Sequence, residues 1–367
     1  MAMRDLRPAA RVPLLILGML SLLGGVLAGL ARLDWAMPSF AAGASAWHGA
    51  LMVSGFLGTV ISLERAVALG RGWAYLAPAA AGIGGLALLT SAPLLIAQVL
   101  GVAGALILVA ASAKIMRRLM APFTMILIIG SLCWFVGNTV WMAGSPLTDA
   151  VPWWLSFLVL TIAAERLELN RFLPMPPVAL KLFFITIGVI LLGALISLRA
   201  EDAGLRLFSV GLLALAVWLL RYDIARRNSG QPGLTGFIAH CLLSGYVWLM
   251  LAGMFGLAGG FQPGHPWRDA TLHALGLGFV FSMIFGHAPI ILPAVARVRL
   301  LYHPFFYIPL AVLHASLALR IFGGLGDNFP LRSGGGLLNA IALLLFIATI
   351  MVSVVRGRRE TAIQGAA

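Results

Sequence analysis

The sequence is short of charge, and of negative charge above all. Of its 367 residues 10% are charged, and only 12 are Asp or Glu against 25 Lys or Arg. A soluble domain of this length needs far more polar surface, so that class is excluded. Cysteine is almost absent. Cys133 and Cys241 each lie inside an apolar run and have no paired spacing, which excludes a disulfide framework or a cysteine metal site and points to buried thiols. There is no Walker-type phosphate loop, no His-Glu-x-x-His motif and no Gly-x-Ser-x-Gly elbow, so nucleotide-driven transport and the common hydrolase chemistries have no foothold. Arg4 to Arg11 followed by an apolar run resembles a signal peptide, but no small-residue cleavage site leads into a soluble domain. The run is read as a retained first membrane helix.

What the chain has is apolar length. It is 61% hydrophobic with a mean hydropathy of +1.01, the composition of an all-α, polytopic integral membrane protein. Runs of about 20 apolar residues fall near 12–31, 45–69, 74–93, 94–116, 121–143, 150–169, 178–198, 204–224, 233–257, 267–296, 304–323 and 333–356, which predicts twelve membrane spans in a single transmembrane domain. The third and fourth are separated only by Ser91-Ala92-Pro93.

The net charge of +13 is not read as a nucleic-acid surface, because the basic residues sit in short clusters between spans. Twelve spans place both termini on one side and divide the 25 Lys and Arg into 19 on that side and 6 on the other. The larger group includes Arg4, Arg7, Arg11, Lys114, Arg117, Arg118, Arg226, Arg227, Arg297, Arg299, Arg356, Arg358 and Arg359. The positive-inside rule then predicts cytoplasmic termini, in a bacterial-type inner membrane. Trp47, Trp153, Trp154 and Trp267 open spans two, six and ten, where an outer-interface position suits an amphipathic ring.

Those three spans also resemble one another. Leu63-Glu64-Arg65-Ala66 in span two matches Ala164-Glu165-Arg166-Leu167 in span six. Sixteen residues before each glutamate stand His48 and Asp149, and sixteen before Pro289 in span ten stands His273. The pattern reads as three four-helix units, 12–116, 121–224 and 233–356, or as chance in a short match.

Span ten, Trp267 to Val295, carries two histidines for which a bare membrane helix has no use. On a continuous α-helix His287 returns to within about 40° of His273, roughly 21 Å along the axis. Pro289 and Pro293 remove two main-chain donors and predict a kink or loosening just beyond His287. His48 and His273 share a depth near the outer ends of their spans. Neutral imidazoles on two helices can take both axial positions of a haem, a ligation that suits electron transfer because no site is left open for substrate. Gly49, Ala50, Gly55 and Thr59, with Gly276 and Gly278, would leave room for a flat macrocycle. The competing explanation puts the histidines in the headgroup region and the glycines in helix packing. No Cys-x-x-Cys-His motif is present, so a bound haem would be b-type, not covalently linked.

Twelve helices, a three-fold repeat and histidines near the outer ends of spans two and ten resemble the catalytic subunit of the haem-copper oxidases. The segments Trp47-His48-Gly49-Ala50-Leu51-Met52, His273-Ala274-Leu275 and Gly286-His287 resemble the NnrS family, haem- and copper-containing membrane proteins associated with nitric oxide metabolism. The resemblance implies a haem-copper-oxidase-like fold, haem ligation by His48 and His273, and handling of nitric oxide or another diatomic gas. The chain departs from the oxidases in having no histidine across 150–198, so their copper site is missing, and its His273–His287 spacing is shorter than the NnrS one.

His240, His287 and His314 share a deeper level and are read either as ligands of a second haem or a copper ion, or as hydrogen-bonded structural groups. Glu64, Arg65, Glu165 and Arg166 read as ion pairs fastening spans two and six, with a proton path as the functional alternative. Arg268, Arg206 and Arg332 are candidate partners for haem propionates, or solvated loop charges. The expected partners are membrane lipid and a redox partner or other subunits. Twelve glycine- and proline-interrupted helices also describe a secondary transporter of a small solute, whose repeats fall at halves instead of thirds.

Overall fold

A computed structural model of the chain describes residues 5–90, 92–171 and 175–364; Arg4 and Ser91 lie outside the described residues. Twelve helices among them are long and apolar enough to cross a membrane. The spans, numbered one to twelve, are Pro8–Ala31, Ser45–Leu69, Gly72–Leu89, Leu94–Arg118, Pro122–Met142, Leu147–Asn170, Pro177–Ile196, Glu201–Tyr222, Gly233–Leu257, Arg268–Ala296, Pro304–Leu325 and Phe329–Glu360. The described residues contain no strand. This is an all-α, multi-pass membrane protein. A helix is the one open-ended structure that satisfies all its main-chain polar groups without water, so each apolar run has little choice. Proline opens spans one, five and seven at the first helical position, where its missing N–H costs nothing. Gly70, with φ of 65°, closes span two in the left-handed conformation.

The chain forms two compact units, Met1–Glu165 and Arg166–Ala367, with the boundary inside span six. The three four-helix units read from the sequence describe repetition along the chain; the compact units divide it elsewhere.

In the first unit span one packs on spans two and three, and span four packs on spans three and five. A buried polar network ties spans two, four and five together. Trp134 Nε1 donates to Ser54 Oγ at 2.9 Å, Ser54 Oγ donates to Asn138 Oδ1 at 2.9 Å, and Asn138 Nδ2 donates to the Gly101 carbonyl at 3.3 Å. The expected fastening of spans two and six is present: Arg65 Nη2 lies 2.6 Å from Glu165 Oε1 and 3.8 Å from Glu64 Oε1. Two of the four tryptophans expected at the outer interface pack inside the protein near the start of span six. Trp153 and Trp154 keep 9% and 1% of their surface, and Trp154 meets Trp141 edge-on at 5.7 Å. The bulk of an indole outweighs its polar tip when an aromatic neighbour is at hand.

In the second unit spans seven and eight, eight and nine, nine and ten, and eleven and twelve pack as neighbours. Spans eleven and twelve approach backbone to backbone at Gly335, where a Cβ would lie 2.5 Å from the Arg320 nitrogen. Small residues at such a crossing supply the packing that apolar burial cannot supply in lipid.

The Arg65–Glu165 pair is partly buried, with 10% and 20% of the two side chains exposed. Removing one partner strands the other charge, so Arg65→Met is expected to destabilise the protein by about 3 kcal/mol, and adding Glu165→Met to recover most of the loss. Equilibrium unfolding in mixed micelles measures both; a double variant no more stable than the single one would show that charge does not hold these spans.

Candidate functional site

Span two is not one uninterrupted α-helix. A 3₁₀ turn at Ser45–Trp47 leads into α-helical His48–Ala50, the π-helical segment Leu51–Leu57, and α-helix again over Gly58–Leu69. His48 stands just before the π segment, and its Nδ1 lies 2.6 Å from the Gly25 carbonyl of span one. A carbonyl can only accept, so Nδ1 carries a proton, and in the neutral ring Nε2 then carries the lone pair. This is the tautomer that ligates a metal through Nε2, oriented by a partner behind the ring. Gly29 makes the geometry possible, because a Cβ there would lie 2.8 Å from His48 Cε1 and 2.9 Å from Nδ1.

Span ten repeats the arrangement within the second unit. Its α-helix Arg268–His273 passes into the π-helical segment Ala274–Phe281 and back to α-helix over Ser282–Ala296. His273 Nδ1 donates to the Asp269 carbonyl at 2.8 Å, and the Asp269 carboxylate lies 3.3 Å from the same nitrogen. Arg320 of span eleven grips that carboxylate with both arms, Nε at 2.9 Å and Nη2 at 2.7 Å. A carboxylate behind the ring raises the electron density at Nε2, and the fork from Arg320 fixes its position.

Hydroxyls in and just after these segments bond back to the carbonyl four residues earlier, as they also do in the regular helices at Ser156 and Thr161. Thr59 Oγ1 donates to the Gly55 carbonyl at 2.6 Å, Ser62 Oγ to that of Gly58 at 2.5 Å, and Ser282 Oγ to that of Gly278 at 2.6 Å. The glycines expected to open space separate into two kinds. A Cβ on Gly276 would meet nothing within 4 Å, and one on Gly49 only Leu147 Cδ2 at 3.9 Å. Gly55 is closed by Ser21 and Gly85, and Gly278 by Trp248, so these two serve packing; Ala50 and Thr59 are buried completely.

Two expectations for span ten change. The loosening falls before His287, at Ala274–Phe281, while the α-helix runs through Pro289 and Pro293 to Ala296. With most of the interval between His273 and His287 π-helical, a count of about 100° per residue no longer places them on one face.

The deeper histidines are each held by hydrogen bonds. His287 Nδ1 donates to the Met283 carbonyl at 2.6 Å, and its Nε2 accepts from Arg166 Nη2 at 2.7 Å. Trp248 Nε1 donates to His314 Nδ1 at 2.9 Å, which puts the proton on Nε2, 3.0 Å from Ser244 Oγ. His240 is exposed; its Nδ1 donates to the Gly236 carbonyl at 2.7 Å, with Tyr307 Oη 3.1 Å away. No group of three or more His, Cys, Asp or Glu side chains suited to a metal ion occurs among the described residues. Arg268 donates to the Phe261 carbonyl, Arg206 pairs with Asp202 at 2.7 Å, and Arg332 lies over the Phe329 ring.

Sequence reasoning missed Asp269, Arg320 and Gly29. Arg320, a full charge inside an apolar run, was the available signal for the first two. Gly29 had none, since only the His48 ring reveals its purpose. Arg320→Met removes the forked partner of a partly buried carboxylate, 25% exposed, and is expected to cost about 3 kcal/mol. Arg320→Lys, unable to form the fork, should recover only part of that. Thermal unfolding in detergent measures both, and parity of Arg320→Met with the parent would show that the pair contributes nothing.

No curated protein matches the chain. Residues 11–355 match a family model described as "Domain of unknown function (DUF8744)". That match runs through all twelve spans, and the chain belongs to this family.

Proposed function

We propose that the protein is a haem-binding integral membrane protein, with His48 and His273 as axial ligands of a b-type haem. One observation carries the reading. The two histidines nominated from the sequence both stand at the start of a π-helical segment, each with Nδ1–H fixed on a main-chain carbonyl and the lone pair on Nε2. π-helical turns cluster at functional sites, where they re-aim a side chain at the cost of helix regularity.

A haem held in this way supplies a one-electron redox centre. His48 and His273 would present Nε2 to the iron, Gly25 and Asp269 would hold the rings, and Arg320 would hold Asp269. With both histidines bound, the iron would have no place left for substrate, which would favour electron transfer. Handling of nitric oxide or another diatomic gas requires one histidine to yield its place. His287 and His314 each engage both ring nitrogens in hydrogen bonds, which favours the structural reading of the deeper histidines over a second haem or a copper ion. The distribution of Lys and Arg supports cytoplasmic termini, in a bacterial-type inner membrane, and a redox partner or further subunits would supply the electrons.

The purified protein is expected to be red with a sharp Soret band. His48→Ala and His273→Ala should each abolish the bis-imidazole spectrum, while His265→Ala and His303→Ala retain it. Gly29→Ala, which drives a methyl into the His48 ring, should lower haem occupancy severalfold. Retention of the spectrum in both ligand variants would reject the assignment, and a colourless parent would leave the secondary-transporter reading in its place.

A further inference from the structure

The connection between spans eight and nine, residues 223–232, carries Arg226 and Arg227 against a single acid, Asp223. That acid faces inward. Asp223 is 3% exposed, its Oδ1 accepts from the Ala225 amide at 2.7 Å, and its charge is answered by Arg166 and the Tyr246 hydroxyl. Arg226 and Arg227 are exposed, and neither guanidinium has an ion pair or hydrogen bond among the described residues. Two neighbouring positive charges at a membrane surface are left to what lies outside the protein.

A groove adjoins them. The short helix Ala225–Asn228 packs against span nine, and where it meets spans eight and nine lies a cavity of about 500 Å3, lined by Leu220, Arg226, Ser229, Leu243 and Val247. One end is polar and the rest apolar. Leu243 and Val247 stand one turn apart on span nine and so share a face, with Leu220 of span eight beside them. Ser229 Oγ donates to the Arg226 carbonyl at 3.0 Å, and its oxygen remains able to accept. Next to the groove, span eight turns outward the row Val210, Ala214, Val217 and Arg221, three apolar side chains that end on a cation.

The two ends together select the occupant. A free phosphate would pair with Arg226 and have no use for the leucines and valine. A neutral lipid would cover the apolar wall and leave both guanidiniums unanswered. A phospholipid with a net negative charge satisfies both ends, because its phosphate oxygens match the planar fork of arginine while its acyl chain covers the helix faces. We propose that this groove is a binding site for an anionic phospholipid, with the phosphate on Arg226, the headgroup at Ser229 and one acyl chain along Leu220, Leu243 and Val247. The bound phosphate also relieves the repulsion between Arg226 and Arg227, so the lipid stabilises the connection on which it sits.

Native mass spectrometry of the delipidated, full-length protein, titrated with dioleoyl phosphatidylglycerol or dioleoyl phosphatidylcholine, tests this. The two lipids share their chains and differ in net charge. The first phosphatidylglycerol is expected to bind about tenfold more tightly than the first phosphatidylcholine. Arg226→Gln with Arg227→Gln should remove most of that preference. Val247→Trp, which fills the apolar end and keeps both charges, should weaken phosphatidylglycerol severalfold. These positions are exposed, so the substitutions leave the core of the unit intact. Arg358→Gln with Arg359→Gln removes the same charge from the exposed end of span twelve and should bind as the parent does. Equal affinity of the parent for the two lipids, or an unchanged preference without Arg226 and Arg227, would overturn the proposal. An equal loss in the span-twelve variant would overturn it too, by showing attraction to net charge alone. Undiminished binding in Val247→Trp would do the same, leaving a phosphate site that inorganic phosphate should then occupy.

Discussion

Inside twelve apolar spans no bulk water is available to a polar group, and each such group must find its partner within the protein. Regular α-helix answers that demand for the main chain. The places where this chain gives up regular helix, Leu51–Leu57 and Ala274–Phe281, are therefore the places where something else must answer. Thr59, Ser62 and Ser282 return hydroxyls to glycine carbonyls, and the Trp134–Ser54–Asn138–Gly101 network holds the first π segment against its neighbours.

The same constraint governs the charged groups. Arg65 is answered by Glu165, and Arg320 by Asp269, each across two spans. The Asp269–Arg320 pair does more than balance charge, because the Asp269 residue also holds the His273 ring through its carbonyl. In the first unit the corresponding task falls to a bare carbonyl, that of Gly25, with Gly29 clearing the space in which the His48 ring lies. The two histidines are thus oriented alike by different means, one with a carboxylate behind it and one without. In the haem reading that difference makes His273 the stronger electron donor of the two.

Much of the fold was legible in the sequence because hydrocarbon permits so few structures. Twelve runs gave twelve spans, with Ser45–Leu69 and Gly233–Leu257 placed to the residue. Interior details were less legible. Pro289 and Pro293 predict a kink or loosening beyond His287; the α-helix continues through them, and a π-helical segment that no proline marks lies upstream. That Trp153 and Trp154 pack into the protein was not legible from their place near the start of span six. For the site, His48 and His273 stood out as histidines inside apolar spans, and each hydrogen-bonds a main-chain carbonyl through Nδ1, as His240 and His287 also do. Their supports were not legible, since Gly25, Gly29 and Arg320 are separated from them in sequence and act through contacts that only the fold creates. The place of Arg166 was hidden for a related reason: Glu165 beside it suggested a local charge pair, whereas Glu165 pairs with Arg65 and Arg166 turns to Asp223 and His287.

The central claim is that two neutral imidazoles, fixed by their Nδ1 protons, ligate one iron. Electron paramagnetic resonance of the oxidised, purified protein tests it most directly, because the spin state of ferric haem reports the number and kind of its axial ligands. The account predicts a low-spin ferric signal typical of two histidine ligands. A high-spin axial signal, or a preparation without haem iron, would contradict it.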